Sequence, residues 1–209
     1  MVTHEAARQL ALDVGSATRL GLISDTHIPE ARRELWPQIL EAFADVDYIL
    51  HAGDIHELRV LDALEELAPV YAARGNGEDG SAGRPVQPRD PRVEYAWLLD
   101  IGGLQVGLTH YVPVIERPPN VTMERWLERF FPDARPDIIV SGDTHREFIG
   151  EVQGILCVNP GSPTYPHNYS TQLGTIGFMD IAEGRASASI WQLVDEGIEP
   201  FDWENKVWR

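Results

Sequence analysis

Five short apolar runs in this chain each stop at, or just before, a polar side chain able to bind a ligand. That pattern narrows the fold more than any other feature. RLGLIS ends at Asp25, YILHA at Gly53-Asp54, VYAA shortly before Asn76, LQVGLT at His110, and DIIVSG at Asp143. Runs of this length bounded by turn residues read as buried strands. Amphipathic stretches separate the first three. Glu34–Ala44 carries Leu35, Ile39, Leu40 and Phe43 on one helical face, with Pro37 marking its first turn. His56–Leu67 carries Leu58, Leu61, Leu64 and Leu67. Strand alternating with helix is the pattern of an α/β sheet, whose ligands sit beyond the carboxyl ends of its strands.

The second half turns strand-rich. Gly75–Pro91 is dense in Gly and Pro and reads as a loop. Glu94–Ile101 and Leu104–Thr109 flank Gly102-Gly103, a hairpin signal. Two more hairpins follow, Phe148–Val152 with Ile155–Val158 and Thr175–Ile181 with Ala186–Val194. Tyr111–Asn120 is irregular because of Pro113, Pro118 and Pro119. Thr122 caps a helix running to Phe131, and Ile138–Ser141 is a further strand. One domain over residues 19–194 is expected, with an N-terminal extension at 1–18 and a tail at 195–209 whose Trp203 and Trp208 pack on the body. A mixed sheet, or two stacked sheets with helices outside, satisfies this order.

Composition excludes several function classes. The 209 residues are 43% hydrophobic and 24% charged, as in an ordinary globular chain. No apolar run approaches the roughly 18 residues of a membrane span, and the N-terminus lacks the apolar core of a secretion signal. A single cysteine, Cys157, excludes an internal disulfide framework and a cysteine-only zinc site, so a cytoplasmic location is expected. Lys and Arg number 17 against 33 Asp and Glu, a net charge of −16. That field repels nucleic acid and anionic membranes, so neither is expected as a partner. A phosphate substrate would need a cation to attract it.

Asp25-Thr26-His27 places a carboxylate and an imidazole at i and i+2, which face the same way if the chain stays extended. Mixed oxygen and nitrogen donors suit Mn²⁺, Fe or Zn²⁺. Alone, the tripeptide reads equally well as a turn beside a surface histidine. Asp54 could bridge two cations or cap the helix beginning at His56. Asn76 offers a neutral oxygen ligand or phosphate contact, or simply a turn, and His110 alone would read as structural. The joint pattern decides. Asp143-Thr144-His145 repeats the Asp-x-His spacing after another apolar strand. Together the seven residues offer the mixed donors of a two-metal site, which clamps a phosphoryl group and generates a nucleophile.

The ordered segments LISDTH, HAGDIH, RGNGE, GLTHY, SGDTHRE and NPGSP resemble those of the calcineurin-like metallophosphoesterases. Within that superfamily the chain is similar to the small bacterial and archaeal phosphodiesterase branch, whose fold the retromer scaffold subunit shares. The resemblance implies an α/β, four-layer αββα sandwich of two mixed β-sheets flanked by helices. It also implies two divalent transition metal ions, Mn²⁺ first, with Fe, Zn²⁺ or Ni²⁺ as alternatives. One ion would be held by Asp25, His27, Asp54 and His145. The other would be held by Asp54 as bridge, with Asn76, His110 and Asp143. The implied reaction is attack of a metal-bridging hydroxide on a small phosphodiester or phosphomonoester. A non-catalytic interaction scaffold on the same fold is the alternative.

Two departures stand out. Asp143 replaces the histidine usual in the family, so three carboxylates and the hydroxide would balance two divalent cations. Gly77 stands where many larger relatives place a histidine that protonates the leaving group. Arg74 could stabilise charge there but cannot act as an acid. The NPGS loop is expected to be structural. His51 reads as buried, His56 as the start of a helix, His167 as a candidate cleft residue, and His4 as part of a mobile terminus.

Overall fold

Alternation within β2 (Ala17–Ile23) sets the layering. Leu20 and Leu22 point into one core while Ile23 points into another, as period-two side chains must. On the second face, Gly21 lets the Phe43 ring lie against the backbone, since a Cβ there would come within 2.9 Å of it. The computed structural model describes residues 5–113 and 122–205.

β2 runs parallel to β3 (Tyr48–His51), which runs parallel to β4 (Val70–Ala73) and then β5 (Val93–Glu94). On its other side β2 pairs antiparallel with β11 (Thr175–Ala182), followed by β12 (Arg185–Val194) and β13 (Gly197–Pro200). The result is a seven-stranded mixed sheet. The second sheet has six strands: β1 (Arg8–Ala11), β6 (Ala96–Ile101), β7 (Leu104–Thr109), β8 (Ile138–Val140), β10 (Ile155–Pro160) and β9 (Glu147–Val152), in that order.

The sheets face each other through Leu20, Leu22 and Leu50 on one side and Leu99, Val106, Leu108, Val140 and Val158 on the other, all fully buried. Helices α1 (Pro37–Ala42) and α2 (Arg59–Glu65) cover the outer face of the larger sheet with Ile39, Leu61 and Leu64. Helix α4 (Met123–Phe130) covers the smaller sheet with Trp126, Leu127 and Phe130 against Leu98, Ile139 and Cys157. Thr122 caps α4 by accepting the Arg125 N–H. The architecture is the four-layer αββα sandwich. No helix among the described residues is long and apolar enough to cross a membrane.

Four local expectations need correction. The Gly75–Pro91 loop contains a short helix, α3 (Asn76–Asp79), stabilised by Glu78 accepting the Gly75 N–H. The stretch Glu94–Ile101 is two strands, because the chain crosses at Tyr95 from the edge of one sheet into the other. Helix α2 starts at Arg59, so His56 lies outside it. Trp203 is 55% exposed and stacks edge-on against Phe201 instead of plugging a core. Residues ahead of Arg19 supply the edge strand β1, parallel to β6, and β13 extends the larger sheet beyond Val194. His4, Trp208 and most of the Tyr111–Asn120 segment lie outside the described residues.

Candidate metal centre

Three Asp-x-His segments follow strands, two in the larger sheet and one in the smaller, and share one backbone geometry. Asp25 and His27 follow β2, Asp54 and His56 follow β3, and Asp143 and His145 follow β8. All six have positive φ, between 48° and 70°. Asp and His tolerate this region better than most residues, but each still costs about 1 kcal/mol or more, and such residues cluster at functional sites. The expectation that Asp25 and His27 converge along an extended chain is therefore corrected: a left-handed turn brings them together.

The turns are held from several sides. Ser24 Oγ donates to Asp25 Oδ2 at 2.6 Å and Gly77 N–H to Asp54 Oδ1 at 2.8 Å. Asp54 thus has its own structural donor and does not cap α2, whose N-cap is Leu58. Gly53 sits at φ 90°, and a Cβ there would lie 2.6 Å from His110 Nδ1. The NPGSP loop acts on backbone groups: Asn159 Nδ2 donates to Gly142 O at 2.8 Å and Ser162 Oγ to Asp25 O at 2.7 Å. Its role is structural. His51 accepts the Gly53 N–H at Nδ1, so Nε2 carries its hydrogen toward Thr26 Oγ1, 3.1 Å away. Burial pushes this imidazole down to about 3, keeping it neutral.

Two further imidazoles are aimed by their Nδ1 atoms. His110 Nδ1 lies 2.9 Å from Ala52 O and His145 Nδ1 2.7 Å from Tyr165 O. A carbonyl only accepts, so Nδ1 holds a hydrogen in both rings and Nε2 is the atom turned toward the site. His145 Nε2 then faces Asp25 Oδ1 at 3.5 Å. His110 Nε2 faces three oxygens: Asn76 Oδ1 at 3.2 Å, Asp54 Oδ1 at 3.4 Å and Asp143 Oδ1 at 3.9 Å. His27 Nε2 is 3.3 Å from Asp54 Oδ2, yet it is buried without a hydrogen bond.

Buried carboxylates crowded against imidazole Nε2 atoms call for a cation between them. The electrostatics of the cluster point the same way. Burial opposes charging His110, but Asp54, Asp25 and Asp143 outweigh it and raise the imidazole to about 9. Burial pushes the Asp25 carboxyl up, with Asp54 adding and His110 and His27 opposing. Burial also works against the Asp54 charge, but His27 and His110 hold its carboxyl well below the usual range. Ligand-sized groupings are formed by Asp25, His27 and His145, by Asp25, Asp54 and His110, and by His27, Asp54 and His56. The donor set, oxygen and imidazole nitrogen, fits a divalent transition metal.

The other sequence candidates are placed as follows. Asn76 and Asp143 both border His110 Nε2. His167 lies with its Nε2 2.8 Å from Glu147 Oε2. Arg74 donates to the backbone carbonyls of Glu78 and Gln87, so it anchors the loop. Two residues were missed. His56 is buried at the site, and its signal was the third Asp-x-His spacing, Asp54-Ile55-His56. Glu78 is fully buried, and its carboxylate accepts the N–H groups of Asp54, His56 and Gly75.

A two-sheet αββα sandwich with clustered carboxylates and imidazoles at its strand ends defines a class of proteins with a candidate metal site. The model of the calcineurin-like phosphoesterase superfamily domain matches residues 18–184, and the chain belongs to that superfamily. It is 33% identical to a probable metallophosphoesterase of Methanocaldococcus jannaschii over 162 residues, 78% of this chain and 77% of the relative. A phosphodiesterase of the same organism is 27% identical over 171 residues, 78% and 92% of the two chains. Among solved structures, Vacuolar Protein Sorting 29 from Cryptosporidium parvum aligns with a TM-score of 0.70 at 23% identity, covering 88% of this chain and 96% of its own.

Proposed function

We propose that the protein hydrolyses a small phosphodiester with two divalent metal ions. The observation that carries this reading is the convergence of His27, His110 and His145 Nε2 atoms on the Asp25 and Asp54 carboxylates, with His27 Nε2 lacking any hydrogen bond. Asp25, His27, Asp54 and His145 would hold one ion. Asp54, Asn76, His110 and Asp143 would hold the other. When bound, such a pair supplies Lewis-acid polarisation of the phosphoryl group and a water nucleophile at neutral pH.

The protein's own residues hold the geometry. Ser24 and Gly77 orient the two carboxylates, and the Ala52 and Tyr165 carbonyls fix the tautomers of His110 and His145. Asn76, beside His110, is neutral and can contact a phosphate oxygen without repelling it. The M. jannaschii relative named as a phosphodiesterase supports the diester preference. The oxygen-rich set containing Asp143 favours Mn²⁺ or Fe over Zn²⁺ for the second ion. An interaction scaffold is supported only by likeness of fold, while the concentration of donors supports catalysis.

The test is elemental analysis of protein purified with added Mn²⁺, together with hydrolysis of bis-nitrophenyl and mono-nitrophenyl phosphates. Bound metal with faster diester turnover is expected. Absence of both metal and turnover would leave the scaffold reading standing.

A further inference from the structure

His56 has no place in either proposed ligand set, yet it is built like a ligand. The side chain is 5% exposed, and its ring centroid lies 4.3 Å from that of His27. His56 Nδ1 is 2.6 Å from Glu30 Oε2, and Glu30 in turn pairs with Arg84. An ionised carboxylate only accepts, so Nδ1 carries the hydrogen and Nε2 keeps its lone pair. This is the carboxylate–histidine arrangement that orients an imidazole toward a metal and raises its basicity. One donor atom each from His27, Asp54 and His56 lie within 4.8 Å of one another.

Room for the ring comes from Gly77. A Cβ at that position would sit 2.4 Å from His56 Cδ2 and 2.7 Å from Nε2, far inside contact distance. Any other residue at 77 would therefore displace the ring or be displaced by it. The absence of a side chain at 77 and the imidazole at 56 form a matched pair.

We propose that His56 is a further ligand, through Nε2, of the divalent ion held by His27 and Asp54. The proposal rests on the metal-dependent reading above. It assigns Glu30 a positioning role, since Glu30 acts only through the imidazole.

The test is titration of the metal-stripped full chain with Co²⁺, by calorimetry and by visible absorption. His56→Ala should lower the affinity for one ion at least about 10-fold, the lower end of what even outer-sphere partners typically cost, and shift the d–d bands. Gly77→Ala, which keeps the imidazole but crowds it, should reproduce the loss. It should add little in the His56→Ala background, where only the 3.1 Å approach to Asp54 Oδ1 remains. If the wild type binds no Co²⁺, the metal reading falls and this proposal with it. If the wild type binds Co²⁺ and His56→Ala binds it with the same affinity and spectrum, His56 is no ligand and the metal reading stands. Full additivity of the two substitutions would also overturn the pairing of His56 with Gly77.

Discussion

Glu78→Gln isolates how the strand-end turns are held. The Glu78 carboxylate accepts three backbone N–H groups: Gly75 at 2.8 Å and Asp54 at 3.2 Å on Oε2, and His56 at 2.9 Å on Oε1. Glutamine keeps the shape but has one accepting oxygen. If that oxygen stays on Gly75 and Asp54, the amide NH₂ meets the His56 N–H, donor against donor. A charge-assisted bond worth about 1.5–3 kcal/mol is lost and a buried N–H is left unpaired. The two surviving bonds become neutral and weaken by roughly half. Burying an amide instead of a charge offsets part of this. The net destabilisation is about 2–4 kcal/mol, and about 3 kcal/mol lowers Tm by roughly 6–12 °C for a domain of this size. Calorimetry should be run in chelator, because bound metal would add its own stabilisation. Hydrogen exchange should show lost protection at the Asp54 and His56 amides. A Tm within about 2 °C of wild type, with protection retained, would refute the argument that this carboxylate organises the turns.

Four further outcomes follow from the same geometry. Asp54→Asn should weaken both ions in a Mn²⁺ titration, since its two oxygens face different histidines, His27 and His110; loss of one ion alone would remove the bridging role. Asp143→Ala should weaken mainly the ion nearer His110, and Asp143→His should raise preference for Zn²⁺; unchanged second-ion affinity in the alanine variant would show that this carboxylate is no ligand. Gly77 supplies no proton donor, and general acids contribute about 10²–10⁴ in rate, so hydrolysis should fall steeply as the leaving group becomes more basic; a flat dependence with chemistry rate-limiting would contradict this. In the metal-free protein His110 is raised to about 9 by the surrounding carboxylates against the opposition of burial. A proton held more tightly in the folded state stabilises fully below the unfolded value near 6.5, and that stability is lost as pH rises through about 9; urea unfolding in chelator should show the decline, and an equal decline in His110→Asn would assign it elsewhere.

Legibility in the sequence divides along a physical line. The strands were readable because a residue's side is set by its neighbours: Leu20 and Leu22 alternate with Gly21 and Ile23 whatever lies across the core. The site was readable because Asp25, Asp54, Asn76, His110 and Asp143 all follow apolar runs that end together in the fold. Strand β1 carried no such mark, since Arg8–Ala11 is wholly exposed and becomes a strand only by pairing with β6. The left-handed turns were hidden because spacing in a sequence is blind to the sign of φ. His56 was masked by the apolar stripe from Leu58 to Leu67, which drew the helix back over it, although the repeated Asp-x-His spacing was in view. Glu78 had no local mark at all. Two of its partners lie 22 and 24 residues away and are backbone groups, identical in every non-proline residue. A side chain that binds other side chains leaves a pattern of residue types; one that binds distant backbone leaves none, and its role emerges only from three-dimensional packing.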